Sequence, residues 1–148
     1  MVLLAKPRRR ARPLPKSPRV GQEPAQAENL PLSFQGKPVD SKEEGRTIVA
    51  LLTIGWSFTY KREYFGGRST PGGVEVDFLV YTPVLPTPMR LQTRYYHLLL
   101  KDGLKDIFDY AKLQRIPGLG PVVDLWDHEV TSVDHAVRSI IRLLGRPG

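Results

Sequence analysis

The sequence contains no cysteine and no long apolar run, and each absence excludes a class of structure. Without cysteine the chain forms no disulfide, so a bound metal would take carboxylate or backbone oxygens or imidazole nitrogens. This ligand set favours a hard cation such as Mg²⁺. No segment approaches the roughly 20 apolar residues that span a bilayer. We therefore expect a soluble protein without a membrane partner, located in the cytoplasm.

Acidic residues are missing from the first 20 positions, which hold seven of the 22 basic residues. The other 15 basic residues equal the 15 acidic ones in number, so the net charge of +7 belongs to this segment. Residues 1–40 also contain seven of the 14 prolines and no hydrophobic periodicity. Such a composition buries too little apolar surface to fold alone. The sequence therefore predicts an extended basic arm over residues 1–40 and a folded domain over residues 41–148.

A basic arm of this kind neutralises phosphates and gives salt-sensitive, sequence-independent affinity for nucleic acid. The arginines that we expect to make such contacts are Arg8, Arg9, Arg10 and Arg12. A solubilising tail or a localisation signal is the alternative. Because prolines keep the segment stretched, it is also suited to lie along other protein subunits.

The rest of the chain predicts alternating helices and strands. A capping-box spacing at Ser41 and Glu44 starts a helix that Gly55 ends, and Thr131 or Ser132 starts a last helix that Gly145 ends. Between them we predict strands over 56–64, 74–81, from 89 onward and over 122–126, with an amphipathic helix over 98–113. This order predicts an α/β sandwich around a mixed sheet.

Residues 66–73 form a glycine-rich segment between two predicted strands. It lacks the Gly-Lys-Ser/Thr ending of a phosphate-binding P-loop, so a wide hairpin loop is predicted. Arg68 lies near the tip of this loop, where it can contact a phosphate backbone.

Asp77 interrupts an apolar strand. An unpaired buried carboxylate costs several kcal/mol, so a cation satisfies Asp77 or its side chain faces a cleft. Glu44 has a structural explanation in the helix cap, and the functional alternative is a second carboxylate near Asp77. Asp124 and Asp127 flank the end of a later apolar strand, for which ordinary turn and cap roles are expected.

Taken in order, these features resemble the restriction-endonuclease-like, or PD-(D/E)XK, superfamily. The features are a helix with an early glutamate, a glycine hairpin, Val76-Asp77-Phe78, a strand leading to Tyr95-Tyr96-His97, and the late segment 125–130 followed by a helix. Within the superfamily the sequence is most similar to the very-short-patch mismatch-repair endonucleases. The resemblance implies a three-layer sandwich with a mixed sheet flanked by helices, and a metal-dependent DNA endonuclease using Mg²⁺ or Mn²⁺.

The resemblance also implies roles for single residues. Asp77 matches the aspartate that binds the metal, Glu44 the helix carboxylate that supports it, and His97 a histidine that transfers protons. The superfamily's Glu-x-Lys motif would fall at Arg90 and Gln92, where the chain departs from the pattern. Gln92 would then position water or phosphate.

Arg90 leaves two functions open. One is hydrolysis with a reduced ligand set, in which Arg90 contacts nucleic acid. The other is a non-catalytic nucleic-acid-binding or assembly protein, such as a phage virion component, in which Arg90 pairs with Asp77 and replaces the cation.

Overall fold

The structure, a computed structural model, describes residues 28–93 and 100–148. The predicted arm up to residue 27, with Arg8, Arg9, Arg10 and Arg12, and the predicted proton-transfer residue His97 lie outside the described residues. In chain order the elements are β1 (Ser33–Phe34), β2 (Lys37–Pro38), α1 (Lys42–Ile54), β3 (Phe58–Tyr64), β4 (Val74–Val80), β5 (Thr87–Gln92), α2 (Leu100–Gln114), β6 (Val123–Trp126), a short 3₁₀ helix (Asp127–Glu129) and α3 (Val133–Leu144).

Four strands form a mixed sheet in the order β3-β4-β5-β6. β3, β4 and β5 are antiparallel neighbours, and α2 leads from β5 to β6, which is parallel to β5. A parallel pair needs a crossover of this kind, because a tight turn cannot join two strands that run in the same direction. The predicted α/β class with a mixed sheet is therefore confirmed.

Two apolar clusters cover the two faces of the sheet. The larger cluster joins Phe58, Phe78 and Met89 of the sheet to Ile48 of α1 and Ile140 of α3. The second cluster holds Val74, Val76, Leu79 and, from α2, Leu113. Since successive strand residues point to opposite faces, Phe78 and Leu79 show that the clusters lie on opposite sides of β4. Helices are thus packed on both faces.

The predicted ends of α1 are confirmed. The Ser41 hydroxyl accepts a hydrogen bond from the Glu44 backbone N–H, which would otherwise lack a partner in the first turn. At the other end, Gly55 has a φ of 103° and donates its N–H to the Leu51 carbonyl. A left-handed backbone at this position favours glycine over any residue with a Cβ. The first turn of α1, which carries Glu44, therefore has a fixed position.

The predicted boundary at residue 40 is not a boundary of the fold, because residues 28–40 pack on the domain. The Gln35 side-chain amide donates to the Phe58 carbonyl and accepts from the Tyr60 N–H, at 2.9 and 2.7 Å. The Phe34 ring stacks on the Phe58 ring with centroids 5.3 Å apart. The β1-β2 hairpin therefore covers backbone groups of β3, which has no other neighbour on that side within the described sheet.

The predicted amphipathic helix over 98–113 corresponds to α2, but its apolar side is only partly covered. Leu113 is 1% exposed, whereas Ile107 and Phe108 are 62% and 63% exposed. Among the α2 residues whose burial is described, only Leu113 in the C-terminal turn is therefore buried. None of the helices in the described ranges has the length and apolar character needed to cross a membrane.

Phe34→Ala tests whether the β1-β2 hairpin belongs to the folded unit. Loss of the stacked ring should lower the free energy of unfolding by about 2 kcal/mol, measured by denaturant unfolding. Leu32→Ala is the matched control, because Leu32 is 88% exposed and its truncation should change stability by less than about 0.5 kcal/mol. A loss in Phe34→Ala as small as that in Leu32→Ala would mean that the stacked ring does not contribute to the stability of the domain.

A candidate active site where two strands diverge

The candidate site begins at the end of the β4-β5 ladder. The two strands pair from Val80↔Thr87 to Phe78↔Met89, and both continue beyond the last pair. There the Leu91 backbone N–H donates to the Asp77 Oδ2 at 2.7 Å, so a side-chain carboxylate is the acceptor instead of a strand carbonyl. The strands can therefore separate without leaving this buried donor unsatisfied.

The regular alternation of β4 also breaks at Asp77. Phe78 belongs to the larger cluster, but Val76 belongs to the second cluster, although strict alternation would place both on the same face. The residue opposite Asp77 on β3 is Lys61, between the pairs Tyr60↔Phe78 and Arg62↔Val76. Lys61 has a φ of 55°, which is rare for a residue with a side chain. Both strands are thus irregular at the position of the aspartate.

A pocket of about 310 Å³ lies at this divergence. The start of α1, the glycine-rich loop, β4 and the end of β5 all contribute to its wall. The lining residues are Ser41, Glu43, Glu44, Arg68, Asp77, Leu91, Gln92 and Thr93. The structure therefore brings together four of the predicted site residues, Glu44, Arg68, Asp77 and Gln92.

The Asp77 side chain is 14% exposed, and burial raises its pKa to about 6. The Leu91 N–H and the Arg68 guanidinium oppose this effect of burial and lower the pKa, whereas the negative charges of Glu44 and Glu75 raise it. Arg68 Nη2 lies 3.9 Å from Asp77 Oδ1. Asp77 is therefore a carboxylate that its protein surroundings stabilise only in part.

Glu44 combines both roles that the sequence left open. Its Oε1 accepts hydrogen bonds from the Tyr60 hydroxyl at 3.1 Å and from the Asp40 N–H at 2.9 Å. The capping-box hydrogen bond of Glu44 therefore reaches Asp40, the residue before the N-cap Ser41. Burial, together with the Glu44 charge, raises the pKa of Tyr60, which keeps the tyrosine a hydrogen-bond donor. Among the described residues nothing donates to Glu44 Oε2. One oxygen therefore fixes the side chain while the carboxylate lines the pocket.

The residues present fit a hard cation with a small number of protein ligands. Mg²⁺ is commonly bound by one or two carboxylates, and waters and substrate phosphates complete its octahedral shell. Asp77 and Glu44 would supply the carboxylate oxygens, whereas Glu43, which also lines the pocket, lies 3.9 Å from the Arg46 guanidinium. Residues 28–93 and 100–148 contain no group of three histidine, aspartate or glutamate side chains arranged to hold a metal. A metal held here would depend on water and substrate oxygens.

Arg68 is held beside the pocket by the glycine-rich loop. Its Nε lies 3.4 Å from Glu75 Oε1, and the side chain is 62% exposed. The loop joins the antiparallel strands β3 and β4, as predicted. Gly73 approaches the backbone so closely that a Cβ there would lie 1.9 Å from the Gly67 carbonyl oxygen, so only glycine fits. Arg68 is therefore presented to solvent at the edge of the pocket.

Arg90 does not have the position that either hypothesis gave it. Its Nε and Nη2 lie 2.9 and 3.1 Å from the two carboxylate oxygens of Asp124 on β6, and its guanidinium lies 5.4 Å from the Tyr110 ring. The hypothesis that Arg90 pairs with Asp77 is wrong, since the ion partner of Asp77 is Arg68. Arg90 is only 6% exposed, which does not suit the predicted contact with nucleic acid. Asp124 holds a buried arginine instead of capping a turn.

Gln92 lines the pocket, and its Nε2 lies 3.5 Å from Asp124 Oδ1, at the limit of a hydrogen bond. Thr93, which also lines the pocket, and the irregular Lys61 were not among the residues predicted from the sequence. A threonine at a strand end and a lysine in an alternating strand are ordinary, so no sequence pattern distinguishes them.

The Asp77 carboxylate predicts a pH dependence of stability. Its pKa is raised on folding from about 4 to about 6, so the native state binds more protons in this window and stability falls as pH rises through it. Asp77→Asn removes the charge and should be more stable than the wild type by about 2 kcal/mol near pH 8, with no advantage near pH 4. Denaturant unfolding across this pH range measures the difference.

The control for loss of a negative charge is Asp134→Asn, at an exposed position in the first turn of α3. This variant should gain no stability near pH 8. A wild type more stable than Asp77→Asn at that pH would mean that the contacts of Asp77 with Leu91 and Arg68 outweigh the cost of burying its charge.

Known proteins do not indicate a function for this pocket. The chain matches no model of a protein family, no curated protein and no solved structure at a significant level. The structure establishes the mixed α/β class and the residues that line the pocket. A functional assignment therefore depends on these residues and on the resemblance of their order to a known superfamily.

Proposed function

We propose that this chain is a metal-dependent endonuclease-like protein of the PD-(D/E)XK superfamily that hydrolyses DNA phosphodiester bonds. The observation that carries the proposal is the meeting of Asp77 and Glu44 in one pocket at the divergence of β4 and β5. The two carboxylates come from a strand and from the first turn of a helix, which are the elements that the superfamily resemblance requires.

The order of elements supports the same proposal. A helix with an early glutamate, a glycine hairpin and Val76-Asp77-Phe78 on the second strand of that hairpin follow one another, and a parallel strand and a last helix come later. Helices on both faces of the mixed sheet agree with the three-layer sandwich that the resemblance implies. The described topology from α1 to α3 therefore supports the proposed restriction-endonuclease-like fold.

The proposal gives a chemical role to four residues that line the pocket, and to His97, which lies outside the described residues. Asp77 and Glu44 would hold Mg²⁺ or Mn²⁺, which when bound stabilises the negative charge that develops on the phosphate. Arg68 would bind a non-bridging phosphate oxygen, since a guanidinium donates to phosphate in a fixed geometry. Gln92 would orient water or phosphate, and His97 would act as the base.

Calorimetric titration of Mg²⁺ or Mn²⁺, followed by plasmid nicking on the same samples, tests the ligand assignment. Asp77→Asn should weaken metal binding at least about 100-fold and abolish nicking, because it removes a charged oxygen from the cation. Glu44→Gln should weaken binding by about tenfold, since one or two carboxylates carry most of the attraction.

Glu75→Gln is the matched control, because Glu75 lies on the same strand as Asp77 and contacts Arg68 but does not line the pocket. Its metal affinity should stay within about threefold of the wild type. A wild-type protein that binds no metal and leaves plasmid intact over a wide pH range would overturn the proposed hydrolysis.

Arg68→Ala tests the phosphate contact. Binding of a short DNA duplex should weaken by about tenfold, and the slope of log affinity against log salt should fall by about one, as expected for one lost phosphate contact. Arg138→Ala on the exposed side of α3 is the control and should change neither quantity. An unchanged salt slope in Arg68→Ala would remove Arg68 from the interface.

A second candidate is a non-catalytic nuclease fold that binds nucleic acid or other protein subunits, as in a phage virion. It is favoured by the observation that the expected glutamate and lysine positions hold a buried, ion-paired Arg90 and an amide, Gln92. DNA binding by a chain that takes up no metal would support this candidate over the first. The basic arm would then be the main contact with the partner.

A further inference from the structure

Among the described residues, the hydroxyl of the half-buried Thr93 is the only buried side-chain polar group without a hydrogen-bond partner. The unpaired atom is its hydroxyl oxygen Oγ1, and the residue lines the same pocket as Asp77 and Arg68. Thr93 directly follows Gln92, the last residue of β5, beyond the point where β4 and β5 have separated. The residue that carries the unpaired hydroxyl thus lines the candidate site.

A buried hydroxyl without a partner is unfavourable. Leaving one unsatisfied costs about 1–3 kcal/mol, and native proteins contain few such groups. A valine has nearly the same shape and would fill the position without this cost. A ligand that supplies the missing partner would recover the hydrogen bond when it binds.

The other charges of the pocket indicate the kind of ligand atom that the hydroxyl meets. Arg68 supplies donors, and a hydroxyl also has one proton to donate. Two donors at one pocket suit an oxygen that accepts more than one hydrogen bond, as a phosphoryl oxygen does. The carboxylates of Asp77 and Glu44 repel an anion, but a bound cation would reverse this effect.

We propose that Thr93 is a substrate-binding residue whose hydroxyl donates to a non-bridging oxygen of the phosphodiester. This inference rests on the proposed function, because it takes the phosphodiester as the substrate of the pocket. It adds a phosphate contact from β5 to the one from the glycine-rich loop. The phosphoryl group is then bound from two sides, by Arg68 and by Thr93.

The test compares Thr93→Val, which keeps the shape but removes the hydroxyl, with Thr93→Ser, which keeps the hydroxyl. Duplex DNA binding is measured by fluorescence anisotropy with Ca²⁺ at about 0.3 M salt, where contacts of the basic arm are weakened. Mg²⁺ titration and thermal unfolding are measured on the same full-length proteins, and Asp77→Asn is included as the variant that tests the proposed function itself.

Thr93→Val should bind the duplex about tenfold more weakly, as expected for one lost hydrogen bond to a charged group. Its Mg²⁺ affinity should stay within about twofold of the wild type, and its melting temperature should be equal or higher because an unsatisfied hydroxyl has been removed. Thr93→Ser should restore duplex binding to within about threefold.

Three results would overturn the inference. If Thr93→Val binds the duplex like the wild type while Asp77→Asn loses metal, only the role of Thr93 is wrong and the proposed function stands. If Thr93→Val loses Mg²⁺ affinity as strongly as duplex affinity, the hydroxyl holds a water of the cation and not a phosphoryl oxygen. If the wild type shows no metal binding that depends on Asp77, the proposed function fails and the inference fails with it.

Discussion

The hydrogen bond from the Leu91 N–H to the Asp77 carboxylate is the contact on which the candidate site depends. A strand that leaves its neighbour exposes backbone donors that must find other partners. Here one side-chain oxygen accepts the donor at 2.7 Å, so β5 separates from β4 while both strands stay ordered. The separation makes room for the pocket and leaves the second oxygen of Asp77 on its wall. One residue therefore shapes the backbone and lines the pocket to which we assign the proposed chemistry.

Two further ion pairs fix the elements around the pocket. Arg90 joins β5 to β6 through both oxygens of Asp124. Glu28 joins two helices, because it accepts from the Arg46 side chain of α1 at 3.1 Å and from the Val133 N–H at the start of α3. Removing one partner of such a pair leaves an uncompensated buried charge, which is strongly destabilising. The start of α1 and the end of β5, which both line the pocket, are thus held by contacts outside it.

The sequence allowed prediction of the features that depend on near neighbours. The Ser41 cap, the Gly55 end and the hairpin at 66–73 follow from residues within a few positions of one another, and all three are present. The partner of Arg90 could not be predicted, because Asp124 is 34 positions away on a strand whose register the sequence does not fix. The packing of residues 28–40 was missed for a similar reason. The Gln35 side chain forms hydrogen bonds with backbone groups of β3 that are 23 and 25 positions away in the sequence. For the site, residue types were predictable, whereas the direction of each side chain at an irregular strand was not.

Asp77 on β4 and Arg90 on the paired strand β5 are satisfied in opposite ways. Arg90 has a bidentate carboxylate partner, so its charge is matched within the protein. Asp77 has one backbone donor and a guanidinium that is 3.9 Å away and largely exposed, while burial, together with the charges of Glu44 and Glu75, raises its pKa. A fold that needed only stability would place an amide or an apolar residue at position 77. A charge that is only partly matched at the wall of a pocket is instead typical of a group that meets a ligand, and its negative sign is the reason that we propose a cation there.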